Sequence, residues 1–210
     1  MRIETIALLR CPAAHASSPL VTVAIRRDGD RLIEATLGCS VCGAEYAVRD
    51  GVAWLTGEGG AALPVAQAAS VDPVRVAALL ALGDPGARAL LCGTYGAAAG
   101  AIEDATGAQC IVVNAPSVVG ADTRFDQLVI GNVSSLPLAN ASLDGLAVDF
   151  AHAALLADAP RVVRAGGRVV APAQVPVPDG CKELARDEQE WVAGVDVPIS
   201  APIALARPAR

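Results

Sequence analysis

The sequence predicts an α/β protein: a small β ribbon stapled by a metal, followed by a larger, mainly parallel sheet with helices on both faces. Three observations carry that expectation. Residues 20–48 read as a strand, an Asp28-Gly29 turn, a second strand, a Cys39-Ser-Val-Cys42-Gly43 knuckle and a short third strand. From residue 88 onward, apolar strand-like runs alternate with helical ones. The first of those runs, LLCGTYGAAAG at 90–100, turns through glycines into an Ala-rich helix.

The totals agree with a globular chain. The 210 residues are 53% hydrophobic and 18% charged, enough for a sizeable core. Aromatics are only 3%, so that core is built from Ala, Val, Leu and Ile. The net charge is −6, neither half of the chain is basic, and Lys182 is the single lysine. Nucleic acid is held mainly by neutralising phosphates, so an extensive nucleic-acid footprint is not expected. No apolar run approaches the ~18 residues of a membrane span, and MRIETIALLRCP is too short and acid-interrupted for a signal peptide. The expected location is the cytoplasm, where six cysteines read as metal ligands or buried apolar groups before they read as disulfides.

In the first segment, Asp28-Gly29 suits the positive φ angles of a tight hairpin, and Arg49-Asp50-Gly51 marks another turn. Two cysteines separated by two residues and followed by glycine turn both thiolates toward one point. Zinc wants four such ligands. The other half should precede the hairpin, where Cys11-Pro-Ala-Ala-His15 stands; the usual second cysteine would fall at Ala14, and His15 can reach instead. The expected set is Cys11, His15, Cys39 and Cys42. A metal-free remnant of a knuckle is the alternative, but a small ribbon with little core seldom folds without a staple.

Residues 56–71 are rich in Gly and Ala and read as a linker. The expected organisation is a ribbon over 1–57, a linker over 58–71 and a second domain over 72–210. Asp72-Pro73 opens a helix as N-cap and first helical residue, with Gly83 near its end. Strands are expected at 88–93, 108–114, 125–132, 143–150 and 166–173. Helices are expected at 96–106, 152–164 and 181–192, with a last strand at 199–207. In such sheets ligands bind at the carboxyl ends of the strands, near the topological switch point.

Three stretches resemble known families. LLRCP, the hairpin and CSVCGAEYAVRDGVAWL resemble a bacterial family of short zinc-ribbon proteins, with Tyr46, Arg49, Asp50 and Gly51 matching its tail and Ala14 departing from it; the resemblance covers residues 6–55. Relatives of that ribbon are activator subunits of methyltransferases or are fused to the front of one. SSLPLANASLDGLAV (134–148) and RVVRAGGRVV (161–170, Ala165 in place of Pro) resemble segments of class I S-adenosylmethionine-dependent methyltransferases. That resemblance covers about residues 75–206 and implies a Rossmann-like sheet.

It also implies where a cofactor would lie. Gly93, Gly96 and Gly100 fall in the glycine loop. The family's first-strand acid falls at about Leu91, its ribose-binding acid at Asn114 and its adenine-facing residue at Asn132. Tyr95 falls among the glycines, where its ring could fill the methionine or ribose space or swing away; the ring is expected to occupy part of that space, with Asn114 and Asn132 facing the same cleft. Carboxylates suit these jobs because each accepts two hydrogen bonds from neighbouring donors; here the skeleton is kept and the charges are lost.

The expected cofactor-site residues are therefore Gly93, Tyr95, Gly96, Asn114 and Asn132, in a site that is weak or closed to S-adenosylmethionine. No catalytic residue is assigned: Asp149 and His152 follow the fourth strand of the sheet, but read more simply as a helix N-cap and a surface histidine. Cys92 and Cys110 read as buried small hydrophobes. The sequence thus points to a non-catalytic, pseudo-methyltransferase protein with zinc, one that binds or regulates a protein partner, either itself or another methyltransferase-related chain. The alternatives are an active methyltransferase with an atypical pocket, and a shrunken pocket that holds another small ligand.

Overall fold

The computed structural model describes residues 1–56, 71–115, 125–131 and 135–196. The linker, Asn132 and the strand expected at 199–207 lie outside or largely outside those residues. A short helix α1 (Ile3–Leu8) precedes four antiparallel strands, β1 (Leu20–Asp28), β2 (Arg31–Cys39), β3 (Glu45–Arg49) and β4 (Val52–Leu55). Gly29 at the first turn has φ +57°, and Asp50 and Gly51 at the third have +49° and +77°, the left-handed geometry expected of such turns; Asp28, however, is the last residue of β1 and pairs with Arg31, so the first turn is Gly29-Asp30.

Helix α2 (Pro73–Leu79) starts as expected, with the Asp72 carboxylate accepting from the Val74 and Arg75 N–H groups. It ends before Gly83. Strand β5 (Arg88–Cys92) leads through a 3-10 turn at Gly93–Ala98 into α3 (Ala99–Thr106), which stops at Gly107 in the left-handed conformation. Strands β6 (Gln109–Val113), β7 (Asp126–Ile130), β8 (Leu143–Val148) and β9 (Val163–Pro172) follow.

Two expectations are corrected. The helix expected at 152–164 is a 3-10 helix over Phe150–Asp158 and a single turn, α4 (Ala159–Val162), after which the chain is already strand. Pro160 sits in the first turn of α4, where its missing N–H does no harm. The helix expected at 181–192 is a hairpin of β10 (Cys181–Arg186) and β11 (Glu190–Val195). Its turn is set by Asp187, whose carboxylate accepts from the Gln189 and Glu190 N–H groups. β10 is exposed along nearly its whole length, so its charged residues suit a sheet edge and carry no strand-like alternation.

Among the described residues, the eleven strands form one sheet, in the order β1-β2-β3-β4-β7-β6-β5-β8-β9-β11-β10. The stretch from β4 to β9 is parallel throughout, and antiparallel strands flank it on both sides. The protein is thus mixed α/β with a largely parallel central sheet. Strands β5 to β8 are buried almost end to end, as parallel strands covered on both faces must be. Alternate side chains supply two cores. Leu90, Ile111, Leu128 and Leu146 join Leu37, Val48 and Leu55 of the N-terminal strands on one face. Leu91, Val112 and Ala147 meet Val76 of α2 and Ile102 of α3 on the other.

The N-terminal strands are therefore not a separate sheet. β4 runs parallel to β7, with Val52 opposite Gln127 and Leu55 opposite Ile130. Asp126, fully buried at the start of β7, locks the join. Its carboxylate accepts from the Arg2 backbone N–H at 2.8 Å and from the Thr5 hydroxyl, and pairs with the guanidinium groups of Arg2 at 3.1 Å and Arg31 at 3.4 Å. Arg2 also reaches Glu103 on α3 at 2.7 Å. Removing one partner of a buried ion pair strands the others. Asp126→Ala is expected to lower stability by about 3–5 kcal/mol in denaturant unfolding, and Asp28→Ala, on the exposed end of β1, by less than about 0.5 kcal/mol.

Candidate functional site

The strand order reverses at β5, which has β6 on one side and β8 on the other. The carboxyl ends of these strands are where an open parallel sheet receives a ligand. Gly93 follows β5 there, Asn114 follows β6 and Asp149 follows β8.

Gly93 has φ +62°, and a Cβ on it would lie 2.0 Å from Asp149 Oδ2. The space above the glycine turn thus holds the Asp149 carboxylate. Asp149 is the N-cap of the Phe150–Asp158 helix, as expected, with the His152 N–H donating to it at 3.1 Å. The Thr94 N–H also donates to it, at 2.9 Å. Gly96 is bare for a different reason. A Cβ there would meet Val112 Cγ1 at 2.4 Å, so only glycine lets the turn pack this closely on β6.

His152 is 1% exposed, which corrects the expectation of a surface histidine. Its Nδ1 lies 2.6 Å from Asp149 Oδ1, and its Nε2 lies 3.3 Å from Asn114 Nδ2. The Asn114 carbonyl oxygen accepts from the Ile130 N–H at 2.9 Å, which fixes the amide's orientation. The Asn114 NH2 is then the donor to Nε2, so His152 carries its proton on Nδ1 and gives it to Asp149. Burial pushes the Asp149 carboxyl up, but hydrogen bonds from His152 and the Thr94 N–H outweigh it and hold the group below the usual range. A continuous polar chain therefore runs from the glycine turn through Asp149, His152 and Asn114 to β7.

Tyr95 corrects the expectation that its ring occupies the methionine or ribose space: it swings away from this region. Its ring is buried in the core between α2, α3 and the sheet, and its hydroxyl donates to Glu190 Oε1 at 2.5 Å. Glu190 in turn pairs with Arg75 at 2.9 Å. The residue that occupies the glycine turn is Asp149, which follows the neighbouring strand; sequence reading marked it only as a cap. Leu91, at the position of the family's first-strand acid, is fully buried in the α2–α3 core. Asn132 lies outside the described residues. Cys92 and Cys110 are fully buried, and burial pushes both thiols up, Cys110 to about 12.

A second constellation lies in the N-terminal strands. Cys11, His15, Cys39 and Cys42 bring one ligand atom each within 4.8 Å of all the others, a group that could hold a metal ion. Cys11 Sγ and Cys42 Sγ are 3.7 Å apart, and Cys39 Sγ and His15 Nε2 are 3.4 Å apart. His15 Nδ1 sits 2.6 Å from the Ala16 carbonyl, which takes the Nδ1 proton and leaves the Nε2 lone pair toward the sulfurs. The Cys42 and Val41 N–H groups lower the Cys39 thiol to about 6. The Tyr46 hydroxyl rests 3.5 Å from Cys11 Sγ, a contact that the sequence did not signal.

No family model and no curated protein matches the sequence. Several solved structures are similar. A geranyl diphosphate methyltransferase in complex with SAM is 16% identical, with 47% of this chain and 46% of that one covered and a TM-score of 0.39. A putative sarcosine dimethylglycine methyltransferase from Galdieria sulphuraria is 17% identical, over 47% and 44%, with a TM-score of 0.38. The antibiotic-resistance methyltransferase Kmr is 16% identical, over 65% and 100%, with a TM-score of 0.39. The match thus spans less than half the length of the first two. None of the three fixes a reaction or a substrate for this chain. Among the described residues, no helix is long and apolar enough to cross a membrane.

The fit of Asp149 over Gly93 sets the outcome of substitution. Gly93→Ala is expected to cost more than about 2 kcal/mol, combining left-handed strain with displacement of a buried carboxylate. Gly29→Ala shares the left-handed φ but meets nothing within 4 Å, so it should cost only about 1 kcal/mol. Because Asp149 is held below its usual range, its stabilising effect is present above about pH 4 and is lost as pH falls through its folded value. Acid unfolding of Asp149→Asn should show a shallower pH dependence than that of the parent.

Proposed function

We propose that this chain is a zinc-stabilised protein of methyltransferase-type fold that does not turn over an adenosyl cofactor and acts by binding. The observation that carries the reading is the Asp149 carboxylate standing over Gly93, 2.0 Å from where a Cβ would be. Two of the side chains that the methyltransferase resemblance assigns to the cofactor have other partners, and Tyr95 gives its hydroxyl to Glu190. Asn114 has committed its oxygen to Ile130 and its NH2 to His152. Leu91 offers no acceptor. On this reading S-adenosylmethionine is kept out of the glycine turn by Asp149, whose departure would leave the buried His152 Nδ1–H without its acceptor. Expected losses of two or three charge-assisted contacts, each about 1.5–3 kcal/mol, amount to several orders of magnitude in affinity.

The metal reading rests on geometry and donor chemistry. A tetrahedral zinc with Zn–S bonds of about 2.3 Å has S···S edges of about 3.8 Å and S···N edges of about 3.5 Å. The Cys11–Cys42 and Cys39–His15 separations are 3.7 and 3.4 Å. Bound zinc would tie the loop before β1 to the β2–β3 knuckle and supply folding energy. The reading includes a protein partner, supported by the edge strand β1, on which Val21, Val23 and Ile25 are all at least 60% exposed.

Calorimetric titration of the full chain with S-adenosylmethionine should show no binding at micromolar concentrations. Micromolar binding would overturn the non-catalytic reading. Protein purified without chelator should carry one zinc per chain; a folded, reduced and metal-free protein would sink the metal assignment. With zinc present, Cys42→Ser should lower the unfolding midpoint far more than Cys110→Ser, because the first loses a ligand and the second only a buried thiol.

A further inference from the structure

A cleft of about 320 Å³ opens between the Cys11–His15 loop and residues 135–138 with Arg161. Its walls include Arg10, Cys11, His15 and Ser17 on one side and Ser135 and Arg161 on the other. None of its residues belongs to the Gly93–Asn114 chain. The backbone holds the two walls together: the Arg10 N–H donates to the Pro137 carbonyl at 2.9 Å, and the Ala139 N–H donates to the Leu8 carbonyl at 2.8 Å.

In a protein of net charge −6, no carboxylate is among the described residues that line this cleft, and Asp158, which accepts from Ser135 and Leu136 behind the wall, is paired with Arg161. The two guanidinium groups differ. Arg161 is spent: it pairs with Asp158 and donates to the Leu136 and Leu138 carbonyls, Asn140 and Ser135. It builds the wall and its charge is cancelled. Arg10 is anchored through one nitrogen only, Nη1, to the Ala7 and Leu9 carbonyls at 3.1 and 2.8 Å. Among the described residues its Nε and Nη2 have no partner, and neither does the Ser17 hydroxyl. A guanidinium fixed by its own backbone and left with two adjacent donors matches the paired oxygens of an oxyanion.

We propose that this cleft binds the oxyanion of a small molecule, a phosphate or a carboxylate, through Arg10 Nε and Nη2 with Ser17 as an added donor. The volume lies at the lower end of the range for small-ligand sites. The ligand would bridge the metal-bearing loop and the parallel sheet, so its binding would strengthen that join.

The test is a titration of 15N-labelled, zinc-loaded full chain with inorganic phosphate and, separately, with acetate, against sodium chloride at equal ionic strength. Saturable shifts of the Arg10 Nε–H signal and of the Ala13, Ala14 and Ser17 amides are expected with one of the two oxyanions and not with chloride. Phosphate or acetate as the stronger arm identifies the source. Arg10→Gln, with zinc content retained, should weaken binding at least about tenfold. Ser17→Ala, on an exposed loop, should weaken it at least about threefold and serves if Arg10→Gln fails to fold. No saturable shift with either oxyanion, equal shifts with chloride, or unchanged affinity in the folded variants would overturn the site. Because S-adenosylmethionine is absent from this experiment, its failure leaves the reading of the Gly93 turn to its own titration.

Discussion

The parallel pairing of β4 with β7 is the constraint on which the rest of the molecule depends. Without it β7 would be an edge strand, with its ladder groups open, and the N-terminal strands would be a small ribbon of thin core. With it, one sheet runs through eleven strands, and the Leu37, Val48 and Leu55 face continues into Leu128 and Leu146. Asp126 seals the junction by gathering Arg2, Thr5 and Arg31 onto one carboxylate. The Cys/His cluster lies at the far end of β2 from this carboxylate, and backbone hydrogen bonds from Arg10 to Pro137 and from Ala139 to Leu8 tie the loop that carries Cys11 to the segment before β8.

At the carboxyl ends of β5, β6 and β8 the same sheet carries a chain of buried polar groups. The glycine turn, the strand-end asparagine and the capping aspartate are all where a cofactor-binding sheet would put polar groups. They spend their hydrogen bonds on each other, with His152 as the hub. Such a chain is favourable only when every member is satisfied, and here each donor has an acceptor: Thr94 N–H and His152 to Asp149, Asn114 to His152, Ile130 N–H to Asn114. A closed network of this kind holds four strand ends together. On the proposed reading it has become architecture in the place of chemistry.

Much of this was legible in the sequence wherever local chemistry decides the outcome. Gly29 and Asp50-Gly51 named their turns, Asp72-Pro73 named a helix start, and the spacing of Cys11, His15, Cys39 and Cys42 named a cluster. What was illegible depends on distant partners. Lys182 to Arg186 reads as helix because an exposed edge strand has no buried face to impose alternation. His152 reads as surface because only the fold sets Asn114 against it. Tyr95 sits in a glycine turn, but the direction of its ring is decided by Glu190, 95 positions away.

The tautomer of His152 tests the central claim most directly. A long-range 1H–15N correlation spectrum reports which ring nitrogen carries the proton. A proton on Nδ1, a hydrogen-bond-accepting Nε2, and no change in either signal when S-adenosylmethionine is added in excess are expected. A proton on Nε2, or ring signals that move on addition of the cofactor, would contradict the central claim, because the Asp149–His152–Asn114 chain could not then be the closed occupant of the glycine turn.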